Sequence, residues 1–347
     1  MGMTREALWG ELNNSTVFEG ALLEAYEFDE KKRWKEEIQN PHGRSWHLSM
    51  HGSQFPGEDD LVCGRAQVYG LLDPYEEKPR EPRVRMLFDQ GLDIEHRFVE
   101  RLSRHGILLS ADVTGDDDFQ TSFEDSNIWL TGSPDAIILP RFTKKAHVVE
   151  IKTTSMEKVE NMKSDPGNVP MSHTKYMRQL KLYICRAHDM PFTPSAMVCR
   201  ISGTIMNKKF KCNHKHDGEC DGVLISVEPP DSGTLIYAPR EEPLNTVSYY
   251  AKYDPTFYKS GSEKLAKWKQ YFLEDKIPPH VLEGQSAKWS VDPCKWCDLK
   301  KSICKIDYKE KVTSLSKSNL IKHNQTIRPD YDFEKTRKAV LEFWEGK

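Results

Sequence analysis

GSPDAI at residues 132–137 and VVEIKTT at residues 148–154 decide how this chain is read. They place one acid, Asp135, ahead of a run that carries a second acid, Glu150, and a lysine, Lys152, two positions further on. Around them Asn127–Gly132, Asp135–Pro140 and His147–Thr153 are short runs rich in β-branched and apolar residues. Gly-Ser-Pro and the polar turn Arg141–Lys145 divide them, which predicts a small antiparallel meander. Side chains alternate along a strand, so Glu150 and Lys152 share one face while Val149 and Ile151 point into the core.

Two carboxylates and a backbone carbonyl, that of Ile151, are hard oxygen donors suited to Mg²⁺ or Mn²⁺, with room left for water and a phosphate oxygen. Water activated there would attack phosphorus, while Lys152 orients it or offsets the charge that develops on phosphate. Without that chemistry the same residues are an exposed Asp in a turn and a Glu/Lys pair on a solvated strand.

The segment Met86–Ser103 predicts a helix with Phe88, Leu92, Val99 and Leu102 on one face and Glu95 near the middle of that stripe. A carboxylate there needs a partner, either a metal shared with Asp135 and Glu150 or an Arg or Lys. His96, at the edge of the stripe, is a flank residue that could touch metal or phosphate. In Ser172–His188 the buried stripe is Tyr176, Leu180, Ile184 and Ala187. Lys175, Gln179 and Arg186 share a neighbouring face there, and Tyr183 stands at the boundary.

In order along the chain, Gly91 to Glu95, Gly132 to Asp135, Glu150-Ile151-Lys152 and Gln179-x-x-x-Tyr183 resemble the motifs of RecB-like nucleases of the PD-(D/E)XK superfamily. The resemblance implies an α/β fold with a restriction-endonuclease-like core, a mixed central sheet flanked by helices. It also implies a DNA exonuclease in which Gln179 and Tyr183, with Lys175 and Arg186 nearby, hold the strand. One departure stands out: most relatives carry His four residues after the first glycine, where this chain has Glu95 and then His96.

Cys294, Cys297 and Cys304 form C-x2-C-x6-C, a spacing suited to a thiolate-bound metal centre. Cys63, in DLVCGRAQVYGLL (residues 60–72), is similar to the upstream cysteine of iron-sulfur nucleases of the AddB kind and of CRISPR-associated RecB-like exonucleases. That resemblance implies a 4Fe-4S cluster at Cys63, Cys294, Cys297 and Cys304, a staple joining N- and C-terminal segments. Closing so long a loop is worth about 5 kcal/mol. Zinc at the same thiolates, or a Cys63 that binds nothing, are the alternatives. A separate group, KCNHKHDGECDG (residues 211–222), sets Cys212, His214, His216 and Cys220 between two apolar stretches. It reads either as a Zn²⁺ site at a hairpin tip or as a polar loop. Cys185 and Cys199 read as small buried residues.

With 347 residues, 37% hydrophobic and 30% charged, the chain can build one large domain with accessory segments. Its sequence divides at 1–85, with the first cluster cysteine; 86–228, the nuclease core; 229–310, with Pro229–Pro255 irregular, a helix at Ser262–Glu274 and the cysteine loop; and 311–347, ending in a helix over Asp332–Trp344. A net charge of −3 argues against indiscriminate nucleic-acid binding, and the basic residues are grouped locally instead. No run is apolar enough to span a membrane, and the N-terminus lacks a secretory pattern, so a cytoplasmic setting is expected, that of the host if the chain is phage-encoded. The expected partners are DNA with a free end and a helicase or recombination protein. A rival from another class is a non-catalytic module of the same fold that binds DNA ends or a partner.

Overall fold

The computed structural model describes residues 16–39, 49–51, 55–56, 62–72, 81–111, 122–170, 172–189, 195–206, 212, 219–276, 278, 317–327 and 329–346. In chain order the elements are α1 (Thr16–Gln39), β1 (Met50–His51), α2 (Gly64–Leu72), α3 (Pro82–Arg104), β2 (Leu108–Ala111), β3 (Phe123–Asp125), β4 (Leu130–Gly132), β5 (Ala136–Ile138) and β6 (His147–Thr154). There follow α4 (Met156–Ser164), α5 (His173–Asp189), β7 (Ser195–Cys199), β8 (Gly222–Ser226), β9 (Ser232–Pro239), β10 (Val247–Lys252), α6 (Pro255–Leu273), α7 (Lys317–Ile327) and α8 (Phe333–Glu345). The architecture is mixed α/β, and among the described residues no helix is long and apolar enough to cross a membrane.

Five strands form the main sheet in the order β10-β9-β6-β5-β2. β6 lies at its centre, antiparallel to β5 and parallel to β9, so the chain must cross over between β6 and β9, and α5 lies on that crossover, packed against both strands. The β6 backbone is therefore held on both edges. Its two faces are covered as well. Val148 joins Leu180, Tyr183, Ile184, Leu235 and Tyr237 in one core, while Val149 and Ile151 join Val99 and Ala136 in a second.

α3 packs on the second face. Pro sits at its first turn, and its last turn carries Arg101 and Arg104, the charge a helix C-terminus favours. Ile94 and Val99 are its buried residues, with Phe98 and Leu102 partly buried beside them, whereas Phe88 and Leu92 are 50% and 51% exposed. The stripe is thus rotated from the one predicted. Gly91 explains the rotation, since a Cβ there would lie 3.2 Å from Thr153 Oγ1: the helix is seated on the sheet through its bare glycine edge.

Two further expectations are corrected. The predicted meander is split, because β4 pairs with β3 and β1 in a separate three-stranded sheet and β2 takes the place beside β5. Pro134 stands between β4 and β5 and has no N–H for a ladder, so pairing breaks there. Pro229–Pro255 is not irregular. It supplies β9 and β10, an antiparallel pair that completes the sheet.

The helices foreseen near the ends are present. α6 begins earlier than predicted, where Asp254 caps it by accepting from the amides of Thr256 and Phe257. α8 starts at Phe333, with the Asp332 side chain accepting from Lys335 N.

Candidate active site

The last β5–β6 pair is Ala136 with Val149, so beyond it the β5 edge of β6 is left to Asp135. Asp135 fills that place: its Oδ2 accepts a hydrogen bond from Ile151 N at 2.6 Å. Amide and carbonyl of one strand residue leave on the same side, so the Ile151 carbonyl opens toward Asp135 too. Lys152 Nζ lies 3.7 Å from Asp135 Oδ2 and 2.5 Å from Glu150 Oε1. The three residues picked out by the sequence therefore meet at one point.

Glu150 is fully buried on the face covered by α5. Burial, then the charge of Asp135, pushes its carboxyl up to about 8, against the pull of Lys152; Glu95 adds a further, smaller push in the same direction. Burial alone would lower the Lys152 ammonium, but Asp135 and Glu150 override it and hold Lys152 above its ordinary value. Lys152 is thus a fixed cation. Neither Glu150 oxygen has a well-formed hydrogen bond among the described residues; the contact with Lys152 is made at Oε1. A buried carboxylate oxygen without a donor, facing a second carboxylate, fits a divalent cation.

The other predicted residues are distributed around this centre. Glu95 is half-buried on α3, close enough for its charge to act on Glu150, while His96 is exposed. Gln179 and Tyr183 are both buried on α5, and Gln179 Nε2 donates to Tyr183 Oη at 2.9 Å. Tyr183 packs edge-on against Phe123 (5.7 Å), and burial followed by the Glu150 charge raises its phenol. Lys175 is exposed at the start of α5, its ammonium lowered by partial desolvation and by the charges of Lys152 and Arg178. Arg186 does not line an open basic edge. Its Nη1 donates to Asp125 Oδ2 (3.2 Å) and Tyr258 Oη (2.9 Å), and the guanidinium lies 5.5 Å from the centres of the Phe123 and Tyr258 rings.

Several neighbours escaped the sequence. Tyr237 is the β9 partner of Lys152 in the parallel register, and its hydroxyl is 3.1 Å from His173 Nδ1. Lys152 Nζ also lies 5.5 Å from the centre of the Tyr176 ring. The signal for Tyr237 is the apolar run SGTLIYAP, inside the stretch expected to be irregular.

Cys63 is half-buried at the head of α2. α2 sits hard on α6, since a Cβ on Gly64 would come within 2.4 Å of the Trp268 indole, and Arg65 Nε donates to Pro278 O at 2.7 Å. Cys294, Cys297 and Cys304 lie outside the described residues, as do His214 and His216. Cys212 and Cys220 are described, and they are joined by a residue read as inert: the sulfurs of Cys199, Cys212 and Cys220 all lie within 4.8 Å of one another.

No family model matches the chain, and no curated protein matches its sequence. Among solved structures it is similar to the alkaline exonuclease LHK-Exo from Laribacter hongkongensis, with a TM-score of 0.34 and 8% identity over 66% of this chain and 89% of that one. It is similar also to LHK-Exo in complex with dAMP, with a TM-score of 0.35 and 9% identity over 67% and 91% of the two chains. At TM-scores this low, the site has to be read from its own side chains.

Proposed function

We propose that the chain is a Mg²⁺- or Mn²⁺-dependent DNA exonuclease of the PD-(D/E)XK type, hydrolysing phosphodiester bonds at DNA ends in recombination, repair or end processing. The observation that carries this reading is the buried Asp135–Glu150–Lys152 group, two carboxylates served by one ammonium, with Glu150 Oε2 lacking a donor among the described residues. Such a group is costly to maintain in a fold unless a cation completes it.

Asp135, Glu150 and the Ile151 carbonyl would hold the cation, with Glu95 supplying a further oxygen from α3 and His96 at the margin. The cation, when bound, supplies Lewis acidity toward water and phosphate. Lys152 cannot serve as the base, because its pKa is raised and it stays protonated. It acts as a fixed charge that orients the incoming water and offsets negative charge on the phosphoryl oxygens. Attack of water at phosphorus breaks the bond to the leaving sugar oxygen. Lys175, exposed beside Lys152, would meet the DNA backbone, and Arg186 could do so only by leaving its bonds to Asp125 and Tyr258. The Gln179–Tyr183 pair is buried on α5, near enough for the Glu150 charge to act on the Tyr183 phenol, and reaches the strand only if the site opens.

The same reading includes a 4Fe-4S cluster at Cys63, Cys294, Cys297 and Cys304. Its support here is the Arg65–Pro278 bond, which brings the chain that leads into the cysteine loop beside the Cys63 segment. A helicase or recombination partner would deliver the DNA end.

The test is degradation of end-labelled linear single-stranded and duplex DNA, and of closed circular DNA, with Mg²⁺ or Mn²⁺, using anaerobically purified wild type and Asp135→Ala. Loss of linear substrate in the wild type alone is expected. Equal inactivity of both proteins, with DNA ends still bound, would replace the enzyme with the binding module.

A further inference from the structure

We infer that Cys199, Cys212 and Cys220 form a structural zinc site that pins the β7–β8 hairpin, independent of the nuclease centre. The three residues come from both arms of one hairpin. Cys199 closes β7 and is fully buried, and β7 and β8 are paired from Ser195 with Ser226 to Cys199 with Gly222. Cys212 and Cys220 belong to the connection between those strands. Cys212 Sγ lies 3.4 Å from Cys220 Sγ, and Cys212 N lies 3.4 Å from the same sulfur, to which it donates.

The spacing is that of ligands. Thiolates around tetrahedral zinc sit about 2.3 Å from the metal, which places neighbouring sulfurs about 3.8 Å apart. Here one pair is at 3.4 Å and no pair exceeds 4.8 Å. A disulfide would use two of the three sulfurs, whereas a metal takes all three, which lie within 4.8 Å of one another.

The turn after Cys199 is shaped around its sulfur. Gly203, at φ +68°, bends the chain so that its amide returns to Cys199 O at 2.8 Å. The backbone amides of Ile201 and Ser202 and the Ser202 hydroxyl donate to the Cys199 sulfur. All three donors are soft sulfurs, which select zinc over the hard cation suited to Asp135 and Glu150. Among the described residues these sulfurs account for three tetrahedral corners.

The hairpin has reason to need such a site. Each arm is five residues long and Leu224 is 64% exposed, so its share of the core is small. It is fastened to the rest of the fold at its open end, through Glu228 N to Lys144 O (2.6 Å), and in the connection just past Cys199, through Ile205 N to Gly106 O (2.6 Å). The metal would tie Cys212 and Cys220, further along the connection, to that anchored turn.

The experiment is elemental analysis of zinc and iron per chain in wild type and in Cys199→Ser, Cys212→Ser and Cys220→Ser, purified under reducing conditions, with the melting curve of each recorded. The expected result is one zinc equivalent fewer in every variant, with iron unchanged, so that metal at the other four cysteines cancels in the comparison. Chelation of the wild type should raise amide exchange in residues 195–226 and leave residues 147–154 unchanged. Wild-type zinc content in Cys199→Ser, or a Cys212–Cys220 disulfide that persists in the wild type purified under reducing conditions, would overturn the proposal. These readouts do not involve DNA, so failure of the nuclease reading leaves them intact.

Discussion

Lys152 Nζ lies 2.5 Å from Glu150 Oε1, a buried ion pair between two residues on the same face of one strand. Asp135 Oδ2 lies 3.7 Å from the same ammonium, so removing the lysine leaves two carboxylates facing each other. Lys152→Ala should therefore destabilise the cation-free protein by about 3–5 kcal/mol, and Mg²⁺ should restore part of that loss. Catalysis should fall by about 10²-fold or more even in saturating Mg²⁺. Thermal melts with and without Mg²⁺, beside single-turnover DNA cleavage, check both parts.

The raised carboxyl of Glu150 sets a pH dependence. The fold favours its protonated form, so its contribution is fully present below the ordinary value of 4.5 and is lost as pH rises through about 8. The melting temperature of cation-free protein should decline across that window through this group. Mg²⁺ needs the ionised form, so its affinity should rise over the same range and the Mg²⁺-induced increase in melting temperature should be larger at pH 8.5 than at pH 6. Glu150→Gln should flatten both slopes; an unchanged slope would remove Glu150 from the site.

Asp135 has two tasks that substitution can separate. Asn keeps an acceptor for Ile151 N but gives up the charge, so Asp135→Asn should fold as the wild type does and lose cleavage. Asp135→Ala should also lose about 1–3 kcal/mol from the amide left without its partner. Urea titration of the two variants distinguishes these outcomes.

Arg186 and Lys175 should part company. Arg186 ties α5 to Asp125 and Tyr258, so Arg186→Ala should lower stability by about 2–4 kcal/mol and leave DNA affinity near that of the wild type. Lys175→Ala should leave stability within about 0.5 kcal/mol and weaken DNA binding with a shallower salt dependence. Reversed results would return Arg186 to the DNA surface.

What could be read from the sequence was what is encoded locally. Glu150 and Lys152 share a face because strand periodicity is two, and Asp135 follows a proline-broken turn; neither inference needs the rest of the chain. β9 was missed because SGTLIYAP is a central strand buried on both faces, which lacks the alternation that marks a half-buried one. The α3 stripe was misplaced because the predicted face counted apolar residues, whereas the sheet is met along Gly91, which burial scales do not reward. Cys199 was read as core for the same kind of reason. Its burial was foreseeable, but the approach of Cys212 and Cys220 depends on the pairing of β7 with β8.

The parallel register that sets Lys152 beside Tyr237 also makes the sheet its own proofreader. Sliding β6 by one residue would turn Glu150 and Lys152 toward α3 and drive Val149 and Ile151 beneath α5. A chain mispaired in this way would strand two charges in an apolar layer and could not assemble the three-residue centre at all. Folding errors in this strand would thus yield a protein without the Asp135–Glu150–Lys152 centre rather than one with an altered centre.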